Sequence, residues 1–173
     1  RAVVALAGAW PLALAACAGV PATAEGPERA PLTVSAQPEA PAFPLTIDNC
    51  GFEVTVDDPP QRVVTIKSSA TEMLLALGVG DRSVGTGFPD GPVPEEWADA
   101  AADLPVLADR VPSTEVVLGV EPDLVYAGWE SNLTAEGAGD RATLAGLGVA
   151  TYVSPSACKD PAYQPDRLTF EDV

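Results

Sequence analysis

Few side chains in this sequence have chemistry to offer, and the missing ones narrow the field first. Its 173 residues include no histidine. A Ser-His-Asp triad, a Cys-His pair, a histidine general base and imidazole-built zinc or iron sites are therefore excluded within it. Cys17, Cys50 and Cys158 stand far apart with no CxxC pair, which removes cysteine-rich metal sites. Gly78-Val79-Gly80 follows a helix-like run and Gly85-Thr86-Gly87 has no third glycine at the right spacing, so neither is a dinucleotide fingerprint. No phosphate-loop lysine motif and no nucleophile-elbow serine motif occurs. No catalytic residue, metal or cofactor is expected, and the remaining polar and aromatic side chains point to binding.

The candidates for ligand contact are Lys67, Ser68, Ser69, Phe88, Arg110, Trp129 and Glu130. Lys67-Ser68-Ser69 falls at a strand-to-helix turn, where free backbone N–H groups and the helix dipole favour an anion. On the plainer reading Ser69 is only a helix cap and Lys67 only a solvated charge. Phe88 and Trp129 follow strand ends in polar, glycine-containing loops, where an aromatic ring either stacks on a flat ligand or plugs the domain base. Arg110 has the fork to grip an anionic group, or it pairs with Asp109 or Glu115. Glu130 shares the Trp129 loop.

These loops need elements to hold them. Leu45-Thr46-Ile47-Asp48 and Phe52-Glu53-Val54-Thr55-Val56 alternate apolar and polar, which predicts two strands joined as a hairpin through Asn49-Cys50-Gly51. From Arg62 the pattern becomes strand, loop, helix. Strands are predicted at 63–66, 83–86, 106–108, 124–127 and 151–153, with helices from Ser69, from Pro94, over 114–118 and over 140–147. Ser69 and Glu72 have capping-box spacing, Pro94 sits in a first helical turn, and Ser113 caps the helix at 114. Leu74 to Thr86 and Leu144 to Ser154 repeat one pattern: a helix end, a Leu-Gly-Val step, a strand. Helices alternating with short apolar strands imply an α/β fold with a mainly parallel sheet flanked by helices. In such a sheet ligands sit outside the carboxyl ends of the strands, where all seven candidates map.

Charge and cysteine use bear on compartment and partners. Nine basic against 25 acidic residues give a formal charge of -16, which repels nucleic acid. Residues 2–16 are apolar behind Arg1, too short for a membrane span of about 20 residues, and fit a secretory signal truncated at its start. Leu14-Ala15-Ala16-Cys17 resembles a bacterial lipobox, which makes Cys17 the lipidated residue and the anchor to the outer face of the cell membrane. Ordinary cleavage near Ala16 is the alternative. Residues 18–43, rich in Pro, Ala and Glu, read as a disordered tether before a lobe over 44–168. A chain that opens on Arg1 and stops inside a helix-like pattern is expected to be a fragment. With Cys17 spent on lipid, Cys50 and Cys158 either pair, closing a loop worth roughly 4–5 kcal/mol, or remain two buried thiols.

Arg62-Val63-Val64-Thr65-Ile66, Ser69 with Glu72, Leu74-Leu75 with Leu77-Gly78, and Glu121-Pro122-Asp123-Leu124-Val125 resemble the opening of the cluster III solute-binding proteins of ABC importers. The resemblance implies an extracytoplasmic, monomeric binding protein for a siderophore, heme or cobalamin-type ligand, working with an ABC permease. It implies two α/β lobes joined by a long helix, of which this chain holds the N-terminal lobe and, at 169–173, the helix start. Glu72 or Glu95 then stands as the acid offered to the permease. Leu45 to Gly51, Thr65 to Ser69, Tyr126 to Leu133 and Ala150 to Val153 are similar to an actinobacterial subgroup associated with uptake of a deazaflavin coenzyme precursor. Readings outside this family are an exported enzyme with its active site in a missing half, and a cell-surface interaction module.

Overall fold

The computed structural model describes residues 41–167. The leader, Cys17, most of the tether and the helix start expected at 169 lie outside the described residues. An antiparallel hairpin, β1 (Leu45–Asn49) and β2 (Phe52–Val56), precedes a five-stranded parallel sheet. That sheet is built from β3 (Val63–Ile66), β4 (Ser83–Gly87), β5 (Val106–Ala108), β6 (Leu124–Ala127) and β7 (Ala150–Val153), in the order β5-β4-β3-β6-β7. Four helices intervene: α1 (Ser68–Ala76), α2 (Ala98–Ala101), α3 (Thr114–Leu118) and α4 (Arg141–Gly146). The α/β architecture expected from the alternation is the one observed.

Strand β3 is central, and all four of its residues are buried, as expected of a strand covered on both faces. The main core gathers Val64, Ile66, Val117, Val125, Leu144 and Val153. The repeated Leu-Gly-Val step has a concrete basis. Gly78 and Gly148 both adopt positive φ, at 70° and 79°, one residue past the last turn of α1 and α4. Gly78 N–H donates to the Leu75 carbonyl and Val79 N–H to the Leu74 carbonyl; Gly148 and Val149 repeat this with Ala145 and Leu144. This is the Schellman stop, and a Cβ would strain it.

Two sequence expectations shift. Helix α1 starts at Ser68 with Lys67 at its N-cap and no side-chain cap, so the capping box expected from Ser69 does not form. The Pro94 helix splits into a 3-10 turn, Glu95–Trp97, and the single turn α2. Ser113 does cap α3, accepting from the Val116 N–H at 3.4 Å, and Asp140 caps α4, accepting from the Thr143 N–H at 2.9 Å. That bond and the Thr143 hydroxyl hold the Asp140 carboxyl below its ordinary value.

The hairpin is bound to the sheet by polar groups. Its turn residues Cys50 and Gly51 have φ of 58° and 74°, the signs a type I′ turn requires. Asn49 pairs with β7 like a short strand: its Nδ2 donates to the Val153 carbonyl at 2.9 Å and its Oδ1 accepts from the Val153 N–H at 2.8 Å. The Arg141 guanidinium, also buried, donates to the Asn49 carbonyl at 2.6 Å, to Asn49 Oδ1 at 2.9 Å and to Thr151 Oγ1 at 2.9 Å, and lies 4.6 Å from the Phe52 ring centroid. Burial pulls the Arg141 pKa down, while Glu130 and Asp48 oppose that pull. Cys50 and Cys158 form a disulfide beside this cluster.

Asn49→Ala leaves both Val153 backbone groups and guanidinium donors without partners. It is expected to lower unfolding stability by about 2–4 kcal/mol in a denaturant titration, whereas a shift below about 0.5 kcal/mol would contradict this role. Replacing Cys50 and Cys158 together by Ser opens a cross-link of sequence separation 108 and is expected to cost about 3–5 kcal/mol in the same measurement.

Candidate functional site

The chain order reverses at β3: β4 and β5 lie to one side, β6 and β7 to the other. The crevice outside the carboxyl ends of β3 and β6 is thus the topological switch point, where open α/β sheets take their ligands. Lys67 follows β3, and Gly128-Trp129 follow β6. The sheet pairing runs one step further here, since Gly128 N–H donates to the Ile66 carbonyl at 2.8 Å and Lys67 N–H to the Gly87 carbonyl at 3.0 Å.

The structure brings Lys67, Phe88 and Trp129 into one cluster. The Lys67 ammonium lies 3.9 Å from the Phe88 ring centroid and 4.3 Å from that of Trp129, and it is ion-paired to Asp90. Lys67 is only 3 % exposed, so it is not the solvated charge of the plainer reading. A buried ammonium must be paired; here a carboxylate and two aromatic faces do so together. Sequence reasoning missed Asp90, because nothing distinguishes an acid in a Pro-Asp-Gly loop from a solvated one.

Two of the four non-glycine residues with positive φ among the described residues lie in this cluster. Lys67 has φ 82° and ψ 146°, and Phe88 has φ 54°, both in regions that disfavour residues with a Cβ. Such conformations cost about 1–3 kcal/mol each and persist where the surroundings hold them. Desolvated cation–π contacts of about 2 kcal/mol each are large enough to do that. Beneath the site the Thr71 hydroxyl meets the hydroxyls of Thr65 and Thr86, each at 2.8 Å, and ties α1 to β3 and β4.

The other candidates occupy the rim. Ser68 Oγ accepts from the Asp90 N–H at 2.8 Å. Ser69 and Arg110 are exposed, and Arg110 forms no ion pair with Asp109 or Glu115. Glu130 does not face a free cleft alone: its carboxylate accepts from the Lys159 N–H at 2.5 Å and fixes the loop that carries Cys158. Trp129 is the large apolar group left open there, 51 % exposed. A pocket of about 240 Å³ adjoins the site behind the Pro89–Val93 loop, with Ser68, Thr71, Glu72 and Thr86 on its walls. A larger one, about 460 Å³, lies at the opposite end of the sheet between the hairpin and β7 and holds none of the seven candidates. Asn132, in a glycosylation-type triplet, is buried.

Gly128 lets the two loops meet. A Cβ on it would lie 2.8 Å from Ser69 Oγ and 3.0 Å from Lys67 Cβ. Gly128→Ala is expected to cost about 1–3 kcal/mol and to change the tryptophan emission as Trp129 leaves the ammonium. Unchanged emission together with unchanged stability would show that the contact is not tight.

No family model matches the chain. It is 32 % identical over 101 residues to the uncharacterized ABC transporter substrate-binding lipoprotein YvrC of Bacillus subtilis, an alignment covering 58 % of this chain and 30 % of that protein. It is 33 % identical over 120 residues to a cobalamin-binding protein of Halobacterium salinarum, covering 67 % and 31 %. The chain spans about a third of the length of these curated relatives. Among solved structures, it resembles an ABC-type Fe3+-hydroxamate transport system protein from Saccharomonospora viridis (TM-score 0.59, 30 % identity, covering 76 % of this chain and 45 % of that one). A periplasmic binding protein from Veillonella parvula is similar as well (TM-score 0.58, 28 % identity, 67 % and 39 %). These relatives bear the names of substrate-binding, cobalamin-binding, transport-system and periplasmic binding proteins, and the shared sequence and fold relate this chain to part of such proteins.

Proposed function

We propose that this chain is the N-terminal lobe of the extracytoplasmic substrate-binding component of an ABC importer, anchored through Cys17. It captures a cofactor-like or metal-chelate ligand and delivers it to the permease. The observation that carries this reading is the exposed Trp129, set at the switch point over a fixed cluster, with no histidine in the chain for catalysis. The relatives named for cobalamin and for ferric hydroxamate supply the class of ligand. A flat ring suits Trp129, so a deazaflavin coenzyme precursor is the finer assignment. For the permease, Glu95 is exposed while Glu72 is half-buried at a cavity wall, which favours Glu95 as the docking acid.

The test is a titration of the complete mature gene product with ferrioxamine B, cyanocobalamin, hemin and a deazaflavin phosphodiester, followed by tryptophan fluorescence. One of them is expected to give a saturable change, and Trp129→Ala to weaken that binding by about tenfold or more. No response to any of the four, in protein shown to be folded, would contradict the proposal.

A further inference from the structure

Lys67 looks at first like an anion receptor: it is a cation at the start of a nine-residue helix, at the ligand end of the sheet. Its surroundings argue the reverse. The Lys67 side chain is 4 % exposed, and the rings of Phe88 and Trp129 lie against the ammonium. Its ion-pair partner is the carboxylate of Asp90, itself 49 % exposed. Asp90 is held at two points, by Lys67 through its carboxylate and by Ser68 Oγ through its backbone N–H. The loop from Phe88 to Asp90 is therefore strapped over the first turn of α1, with a carboxylate seated where a ligand anion would dock.

We propose that Asp90 is a built-in counter-anion that makes the Lys67 cluster a charge filter: it admits a flat ring on the open face of Trp129 and keeps the phosphate or carboxylate of a ligand off Lys67. The inference rests on the reading that the carboxyl edge of the sheet is the ligand face. A ligand anion reaching Lys67 must break the ion pair and lift a ring from the ammonium, leaving Asp90 half-desolvated beside a second negative charge. Like charges at that separation repel, and the ammonium cannot be shared without loss. Charged parts of a ligand are left to the rim, where Arg110 is exposed. Lys67 is accordingly a positioning residue, acting through Trp129.

The experiment uses inorganic phosphate as the probe, at low ionic strength, with tryptophan fluorescence of the complete mature protein as readout. Wild type is expected to show no saturable response through the millimolar range. Asp90→Asn, which keeps the backbone bond to Ser68, is expected to gain a saturable, salt-sensitive response, and the double variant Lys67→Met with Asp90→Asn to lose it again. A saturable response in wild type that Lys67→Met abolishes would overturn the proposal, as would a folded Asp90→Asn that gains none. The wild-type titration decides even where circular dichroism shows that Asp90→Asn fails to fold. A protein that binds no importer ligand but shows this phosphate pattern would refute the importer reading and keep the charge filter.

Discussion

One buried ammonium organises the carboxyl end of the parallel sheet. Lys67 leaves the central strand in a backbone conformation that favours glycine, and its side chain turns inward to meet Phe88, Trp129 and Asp90. These partners come from the loops after β4 and β6, so a single charge joins the ends of three neighbouring strands. Removing it from water is costly unless every direction is occupied, and here two ring faces and a carboxylate occupy them. The cluster leaves the Trp129 indole half exposed and keeps the lysine itself buried.

The opposite task, keeping the hairpin on the sheet, is solved with similar physics and different residues. Asn49 completes the open edge of β7, and Arg141 satisfies Asn49 in turn. The network is buried and its main partners are neutral oxygens, so it holds by hydrogen bonds more than by ion pairing. The disulfide then fixes the turn to the segment after β7. Glu130 links the two regions, since the loop that carries Trp129 also holds the Lys159 N–H beside Cys158.

Much of the fold was legible in the sequence because local patterns and tertiary demands agree. Alternation marked β1 and β2, short mainly apolar stretches between helix-like segments marked the parallel strands, with Ser83 to Thr86 the weakest of them, and the two Leu-Gly-Val steps marked helix stops that the Schellman geometry explains. The site was legible only as a location. Periodicity places Lys67, Phe88 and Trp129 at strand ends, but it says nothing about which way a long side chain turns. Positive φ at Lys67 redirects that side chain and moves the helix start, which is why the expected capping box at Ser69 is absent. Asp90 and the Asn49–Arg141 pair act across 23 and 92 residues of sequence, beyond the reach of any local pattern.

The central claim is that the ligand meets this lobe at the carboxyl ends of β3 and β6. Hydrogen–deuterium exchange on the complete protein, with and without whichever compound of the fluorescence panel binds it, tests this directly. The account predicts slowed exchange at 67–69, 88–90 and 128–131, with 52–61 unchanged. Protection confined to 52–61 and 148–151, around the larger pocket at the other end of the sheet, would contradict it.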